Sequence, residues 1–357
     1  MTTDQNVASN DARLSRVPSA ARGEKAEAVE EHQRSDAAAD ASSIGHEFDP
    51  YLAKGQVKHP DQTDPYFGHL ITALVTPFTK DDRIDFKAFE ALAAKLVDEG
   101  NDSLVVSGTT GETSTLEDYE KADLVRAAKS AVGDRAKVIA GTSTNHTSHD
   151  LEMAAKAERA GADGQLVVTP YYNKPSQDGV YAHFTAVADA ADLPLMIYDI
   201  PGRTGIPVAT ETILKLAEHP RIMSLKDAKN DITATTEVLT KTDLEIYSGD
   251  DQNVLAWMAM GAVGVVSVTD HVAAPTFRRM IDAVLNYDLK EARIAHGELG
   301  PVIRAIMTRV QGAVASKLVL NWMGFPINTD VRLPLVQANE AEQELVLADL
   351  REAGWKL

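Results

Sequence analysis

From residue 69 onward, short apolar runs alternate with longer stretches in which apolar residues recur every three or four positions. The runs are HLITALVTPF (69–78), SLVVSGT (103–109), KVIAGTS (137–143), GQLVVTP (164–170), PLMIYDI (194–200), IMSLKDA (222–228), LEIYSGD (244–250) and GVVSVTD (264–270). Each is apolar on both faces, as a parallel strand covered on both sides must be. The stretches between them read as amphipathic helices. DFKAFEALAAKLVDEG puts Phe86, Phe89, Ala93, Leu96 and Val97 on one face and stops at Gly100. Two others, LEDYEKADLVRAAKSAVG and HDLEMAAKAERAG, stop at Gly133 and Gly161. Eight strand–helix units in succession predict an α/β fold, a closed (β/α)8 TIM barrel over residues 66–288, rather than an open doubly wound sheet. Residues 289–357 read as additional helices packed at one end of it.

Residues 1–65 break this texture. They are rich in Ala, Ser, Asp, Glu and Gln and poor in large apolar residues. Such a segment buries too little apolar surface to offset its ordering entropy, which predicts a disordered acidic extension. The whole chain of 357 residues is 44% hydrophobic, enough for one large core. Its formal charge of −18 argues against a nucleic-acid partner, which needs a basic face, and against an anionic membrane surface. There is no cysteine, so disulfides, thiolate metal sites and a cysteine nucleophile are excluded. The amino terminus lacks the apolar core of a secretory signal, and no run approaches the roughly 18 apolar residues of a membrane helix. The expectation is a soluble cytoplasmic protein.

In a barrel of this kind the chemistry lies at the C-terminal strand ends. These ends read SGTTGET, GTSTN, TPYYNKP, YDIPGRTG, LKDAK, SGDD and SVTD. Lys226 is a lysine inside an apolar strand. It either snorkels to solvent or is held dry, and a dry amine has a depressed pKa and can attack a ketone to form a Schiff base. Tyr198 on the fifth strand and Tyr172 after the fourth are rim aromatics or members of a proton relay serving that amine. Arg203 in PGRTG is a surface arginine or a bidentate carboxylate clamp. GTTGET offers glycines and hydroxyls suited to a small anion, but not the glycine–lysine spacing of a nucleotide loop. Lys229 is expected in solvent. Metal binding is poorly supported: His146 and His149 lack a carboxylate constellation, and one of Asp250 and Asp251 is expected to cap the following helix.

Taken in order, GTTGET, TPYYNKPSQDG, YDIPGRTG, LKDA and YSGDD resemble the dihydrodipicolinate synthase / N-acetylneuraminate lyase superfamily of class I aldolase barrels, and within it the dihydrodipicolinate synthase branch. The resemblance covers about residues 66–357. It implies that Lys226 forms a Schiff base with pyruvate and that Tyr198 is the proton donor and acceptor. Thr109 and Tyr172 would complete a relay, with Tyr172 entering from a neighbouring subunit. Thr110 and Val266 would contact pyruvate, and Arg203 would receive the carboxylate of L-aspartate 4-semialdehyde. It further implies lysine and diaminopimelate biosynthesis, a homotetramer built as a dimer of dimers, and no metal or organic cofactor. A related aldolase acting on another aldehyde or a sugar acid is the alternative, although lyases of sugar acids generally lack this arginine.

Two departures stand out. Asp199 occupies a position where many members carry asparagine. Some members have a lysine feedback site; Asn145 and Tyr171 match it, but Asp118, Lys121 and His149 stand where lysine-sensitive members carry histidines and a glutamate. A cation where a carboxylate should hold the effector's ammonium repels it, which predicts weak or absent inhibition by lysine.

Overall fold

The computed structural model describes residues 64–357. The expected amino-terminal extension, residues 1–65, lies outside the described residues but for its last two. Eight strands follow: β1 (Leu70–Ala73), β2 (Ser103–Val106), β3 (Lys137–Gly141), β4 (Gly164–Val168), β5 (Leu195–Asp199), β6 (Ile222–Asp227), β7 (Glu245–Ser248) and β8 (Gly264–Ser267). Each lies inside one of the eight apolar runs. All pair in parallel with their sequence neighbours, and β8 pairs with β1 to close the barrel. At the seam the backbones touch. A Cβ on Gly264 would stand 2.0 Å from the His69 carbonyl oxygen, so only glycine fits there.

The two-residue period of a strand sorts its side chains between two cores. Leu70, Leu104, Val138, Val167, Ile197, Leu225, Ile246 and Val265 point outward and pack against the helices. Ile71, Val105, Ile139, Leu166, Met196, Tyr198, Tyr247 and Val266 fill the interior. One irregularity decides what the interior of β6 contains. Leu195 pairs with Ile222, but Met196 pairs with Ser224, so β6 carries one extra residue, Met223. Beyond this bulge Tyr198 stands beside Lys226 rather than Leu225.

The helix limits follow the sequence signals. Asp85 caps the helix Phe86–Asp98 by accepting from the Ala88 amide, and Gly100, at φ 108°, follows its last turn. The helix Asp118–Val132 starts with a capping box between Glu117 and Glu120 and ends at Gly133, while Gly161 in the left-handed region ends Thr147–Ala160. Three further helices, Leu289–Met307, Gly312–Trp322 and Glu340–Glu352, form the carboxy-terminal segment. The first packs on the last barrel helix, Asp270–Leu285, and the other two pack on it. Among the described residues no helix is long and apolar enough to cross a membrane.

Candidate active site

Lys226 ends the inward row of β6 and is only 5% exposed. The strand holds the amine inside the barrel mouth, so it does not escape to solvent. Burial pulls its pKa down to about 8; nearby Asp251 opposes this, the Arg203 cation adds to it, and Asp270 opposes it. Its Nζ lies 4.2 Å from the centre of the Tyr198 ring, a consequence of their register pairing. Burial pushes the Tyr198 phenol up to about 12, with Arg203 working against that shift, so the hydroxyl keeps its proton at neutral pH. A dry amine beside a protonated phenol is an arrangement for imine chemistry: one group attacks, the other supplies a proton. Val266, 1% exposed, belongs to the same interior cluster as Tyr198. Tyr247 flanks Lys226 on the β7 side and is fully buried.

The loop after β2 carries the two threonines. Thr110 is buried and Thr109 is exposed. Two non-glycine residues of this loop, Ser107 (φ 57°) and Glu112 (φ 59°), adopt the left-handed conformation, a strained choice that the surroundings must enforce. The enforcement comes from three places. Thr76 Oγ1 donates to the Gly111 carbonyl at 2.7 Å, and the Glu112 amide donates to the Thr109 carbonyl at 3.1 Å. The Glu112 carboxylate takes Lys317 Nζ at 2.5 Å on one oxygen and the Arg332 amide at 2.9 Å on the other. Both ionic side chains of that pair are almost wholly buried. Lys317 spends another proton on the Asp330 carbonyl at 2.8 Å, and Arg332 grips Glu120 with two bonds of 2.7 and 2.8 Å. The carboxy-terminal segment is thereby pinned to the threonine loop. Glu112, Lys317 and Arg332 were not foreseen as part of the site. The available signal was Lys317 as the one charged residue of the largely apolar helix GAVASKLVLNW.

Arg203 sits exposed on the short helix Pro201–Thr204 at the barrel rim, close enough for its charge to act on both Lys226 and Tyr198. Tyr172 is in the left-handed region (φ 71°) and 90% exposed. A side chain this bare receives no fixed geometry from its own chain. Lys229 corrects an expectation. It is not in solvent: its side chain is 13% exposed, its Nζ donates to the Val208 carbonyl at 3.3 Å, and it lies 3.6 Å from Asp199. The cause is the Asp227 carboxylate, which accepts from the Lys229 and Asn230 amides and turns the chain back over the barrel end. Asp250 acts as a cap, accepting from the Gln252 amide, while Asp251 is buried and accepts from Thr269 and Val268 amides.

A closed parallel barrel with a desolvated lysine on its sixth strand defines a lyase of the class I aldolase type. The sequence model of the dihydrodipicolinate synthetase family matches residues 66–353, and the chain belongs to that family. The chain is 51% identical over 291 residues to 4-hydroxy-tetrahydrodipicolinate synthase 2 of Streptomyces coelicolor, covering 82% of this chain and 97% of the relative. It is 52% identical over 288 residues to the 4-hydroxy-tetrahydrodipicolinate synthase of Kineococcus radiotolerans, covering 81% and 94%. Among solved structures, the lysine-bound enzyme of Cyanidioschyzon merolae superposes with a TM-score of 0.79 at 39% identity, covering 82% of this chain and 99% of that one. The chloride-inhibited, pyruvate-complexed enzyme of Acinetobacter baumannii gives 0.77 at 34% identity, covering 81% and 99%.

Proposed function

We propose that this chain condenses pyruvate with L-aspartate 4-semialdehyde, as a 4-hydroxy-tetrahydrodipicolinate synthase of lysine and diaminopimelate biosynthesis, in the cytoplasm. The observation that carries the reading is the pairing of a desolvated Lys226 with a protonated Tyr198. The neutral amine adds to the ketone carbon of pyruvate, and the resulting carbinolamine loses water to give the imine. Loss of a methyl proton yields the enamine, whose carbon attacks the aldehyde. Cyclisation by the substrate's own amine then displaces the lysine nitrogen and returns Lys226 free. Tyr198 hands protons to and from these atoms, with Thr109 and Tyr172 completing the relay. Thr110 and Val266 hold pyruvate, and Arg203 receives the aldehyde's carboxylate.

Tyr172 acts in this scheme from a neighbouring subunit of a homotetramer, a dimer of dimers; its exposure on its own chain supports that placement. One similar structure is described as a monomeric variant of the enzyme, so the assembly is measured directly by light scattering. The substrate assignment is tested with a panel of aldehydes and pyruvate. Turnover with aspartate semialdehyde is expected to exceed that with any longer polyhydroxylated aldehyde, and the opposite order would overturn it.

Feedback by lysine is expected to be weak. Of the three departing positions only Asp118 carries a carboxylate, and it is already occupied by Lys156 Nζ at 2.7 Å and His149 Nε2 at 3.0 Å. Lys121 is buried beside it. Sub-millimolar lysine should therefore change the initial rate by less than about twofold, a coupling under about 0.4 kcal/mol. An inhibition curve that saturates near complete loss of rate in that range contradicts this.

A further inference from the structure

Asp199 and Lys229 lie outside the reaction scheme, yet both are held at the end of the strands that carry it. Asp199 directly follows Tyr198 and points away from the barrel interior; it is 1% exposed. One carboxylate oxygen accepts from the Val208 amide at 3.1 Å. The other has no hydrogen-bond donor, and Lys229 Nζ, 3.6 Å away, supplies the facing charge. Lys229 in turn donates to the Val208 carbonyl at 3.3 Å. Both backbone groups of Val208 are therefore taken by this pair. The segment between, residues 200–208, is a closed loop. Its foot is the Asp199–Val208–Lys229 knot, and Thr204 Oγ1 braces its middle by donating to the Ile200 and Ile206 carbonyls at 3.1 and 2.8 Å. Arg203 rides on this loop.

An asparagine at position 199 could accept from Val208 equally well. The charge is explained only by the second oxygen, which faces Lys229. A negative charge this deeply buried requires a partner. Neighbouring Asp227 adds repulsion rather than relief, since its own oxygens are taken by Thr235 and by the Lys229 and Asn230 amides.

We infer that Asp199 and Lys229 are a positioning pair that closes the 200–208 loop and fixes Arg203 for the carboxylate of the second substrate, setting affinity for the aldehyde without touching it. The inference rests on the assignment of Arg203 made above. It separates the two halves of the reaction: imine formation with pyruvate depends on Lys226 and Tyr198, whereas capture of the aldehyde depends on the loop.

The experiment measures two quantities on the full chain: KM for aspartate semialdehyde, and the rate at which borohydride traps pyruvate on the enzyme. Lys229→Met should raise that KM about tenfold or more, because it strands a buried carboxylate at the foot of the loop, and leave the trapping rate unchanged. Asp199→Asn should raise it by only about threefold, since the bond to Val208 survives. The double variant Asp199→Asn/Lys229→Met, with no charge left to strand, should lie closer to wild type than Lys229→Met does. A KM within twofold of wild type for Lys229→Met, a trapping rate that falls in step with KM, or strictly additive effects would each overturn the inference. Arg203→Ala separates the two layers. If it raises KM and Lys229→Met does not, the pair has no positioning role and the Arg203 assignment stands. If Arg203→Ala leaves KM unchanged, the assignment fails and the role of the pair fails with it.

Discussion

Replacing Lys226 by methionine should abolish turnover, a loss of at least about 10⁴-fold or about 5.4 kcal/mol of barrier lowering, and should stabilise the folded protein. The two effects have one cause. The strand carries an amine into a place where its charged form is poorly solvated, and its folded pKa falls to about 8 from the 10.5 of the free side chain. Below pH 8 both folded and unfolded chains hold the proton, and the penalty for burying it is present in full. Between about pH 8 and 10.5 the unfolded chain binds the proton and the folded chain does not, so stability rises with pH across that window. Methionine fills similar space with no charge and escapes the penalty at neutral pH, a gain of order 1–3 kcal/mol. Thermal unfolding at pH 7 should show a higher Tm for the variant, and the wild type should close the gap as pH rises towards 10. The catalytic side is read by borohydride reduction with pyruvate. Wild type should carry the adduct on the peptide containing Lys226, and the variant should carry none. In the wild type kcat/KM should climb through a pKa near 8, with no descending limb from Tyr198 within the range where the fold survives, because that phenol titrates at about 12. Adduct formation on any other lysine, or equal labelling of the variant, would remove Lys226 from the mechanism.

The second large effect belongs to Lys317. Lys317→Met removes the cation from a carboxylate that has almost no access to water, and breaking a buried pair in this way costs about 3–5 kcal/mol. Glu112 would be left with the Arg332 amide alone. Because Glu112 is one of the strained residues of the threonine loop, the damage should reach the site as well as the fold, and residual activity should fall along with the denaturation midpoint. Glu112→Gln combined with Lys317→Met leaves no uncompensated charge and should recover most of the lost stability. A single variant that unfolds within about 1 kcal/mol of wild type would show the pair to be dispensable.

The contrast between Lys226 and Lys317 shows what a sequence can reveal. Lys226 interrupts a strand whose position follows from a two-faced apolar run, and strand ends of a barrel converge by topology, so Tyr198 and Arg203 could be gathered around it. Lys317 interrupts a helix in the same way, but its partner Glu112 is 205 residues distant, and no local pattern names it. Lys229 misled for a related reason. Polarity and position after a strand both suggest solvent, while the Asp227 turn and the Val208 carbonyl that recapture it belong to the three-dimensional path of the chain. Tyr172 could be named from its place after the fourth strand, but its entry from a neighbouring subunit is legible only by resemblance, since its own chain leaves it bare.

The extra residue in β6 has a consequence of its own. A strand presents its side chains in strict alternation, so what faces the substrate depends on whether the count from the strand's start is odd or even. Met223 shifts that parity midway. Were Met223 drawn into the ladder opposite Met196, Leu225 would stand beside Tyr198 in the barrel mouth and Lys226 would turn among the surrounding helices, with every side chain of the site still present in the sequence. At this strand one added residue between Ser224 and Lys226 is therefore a harsher event than the loss of Met223: the loss leaves the pairs from Met196–Ser224 to Tyr198–Lys226 in place, whereas the addition turns Lys226 to the wrong face.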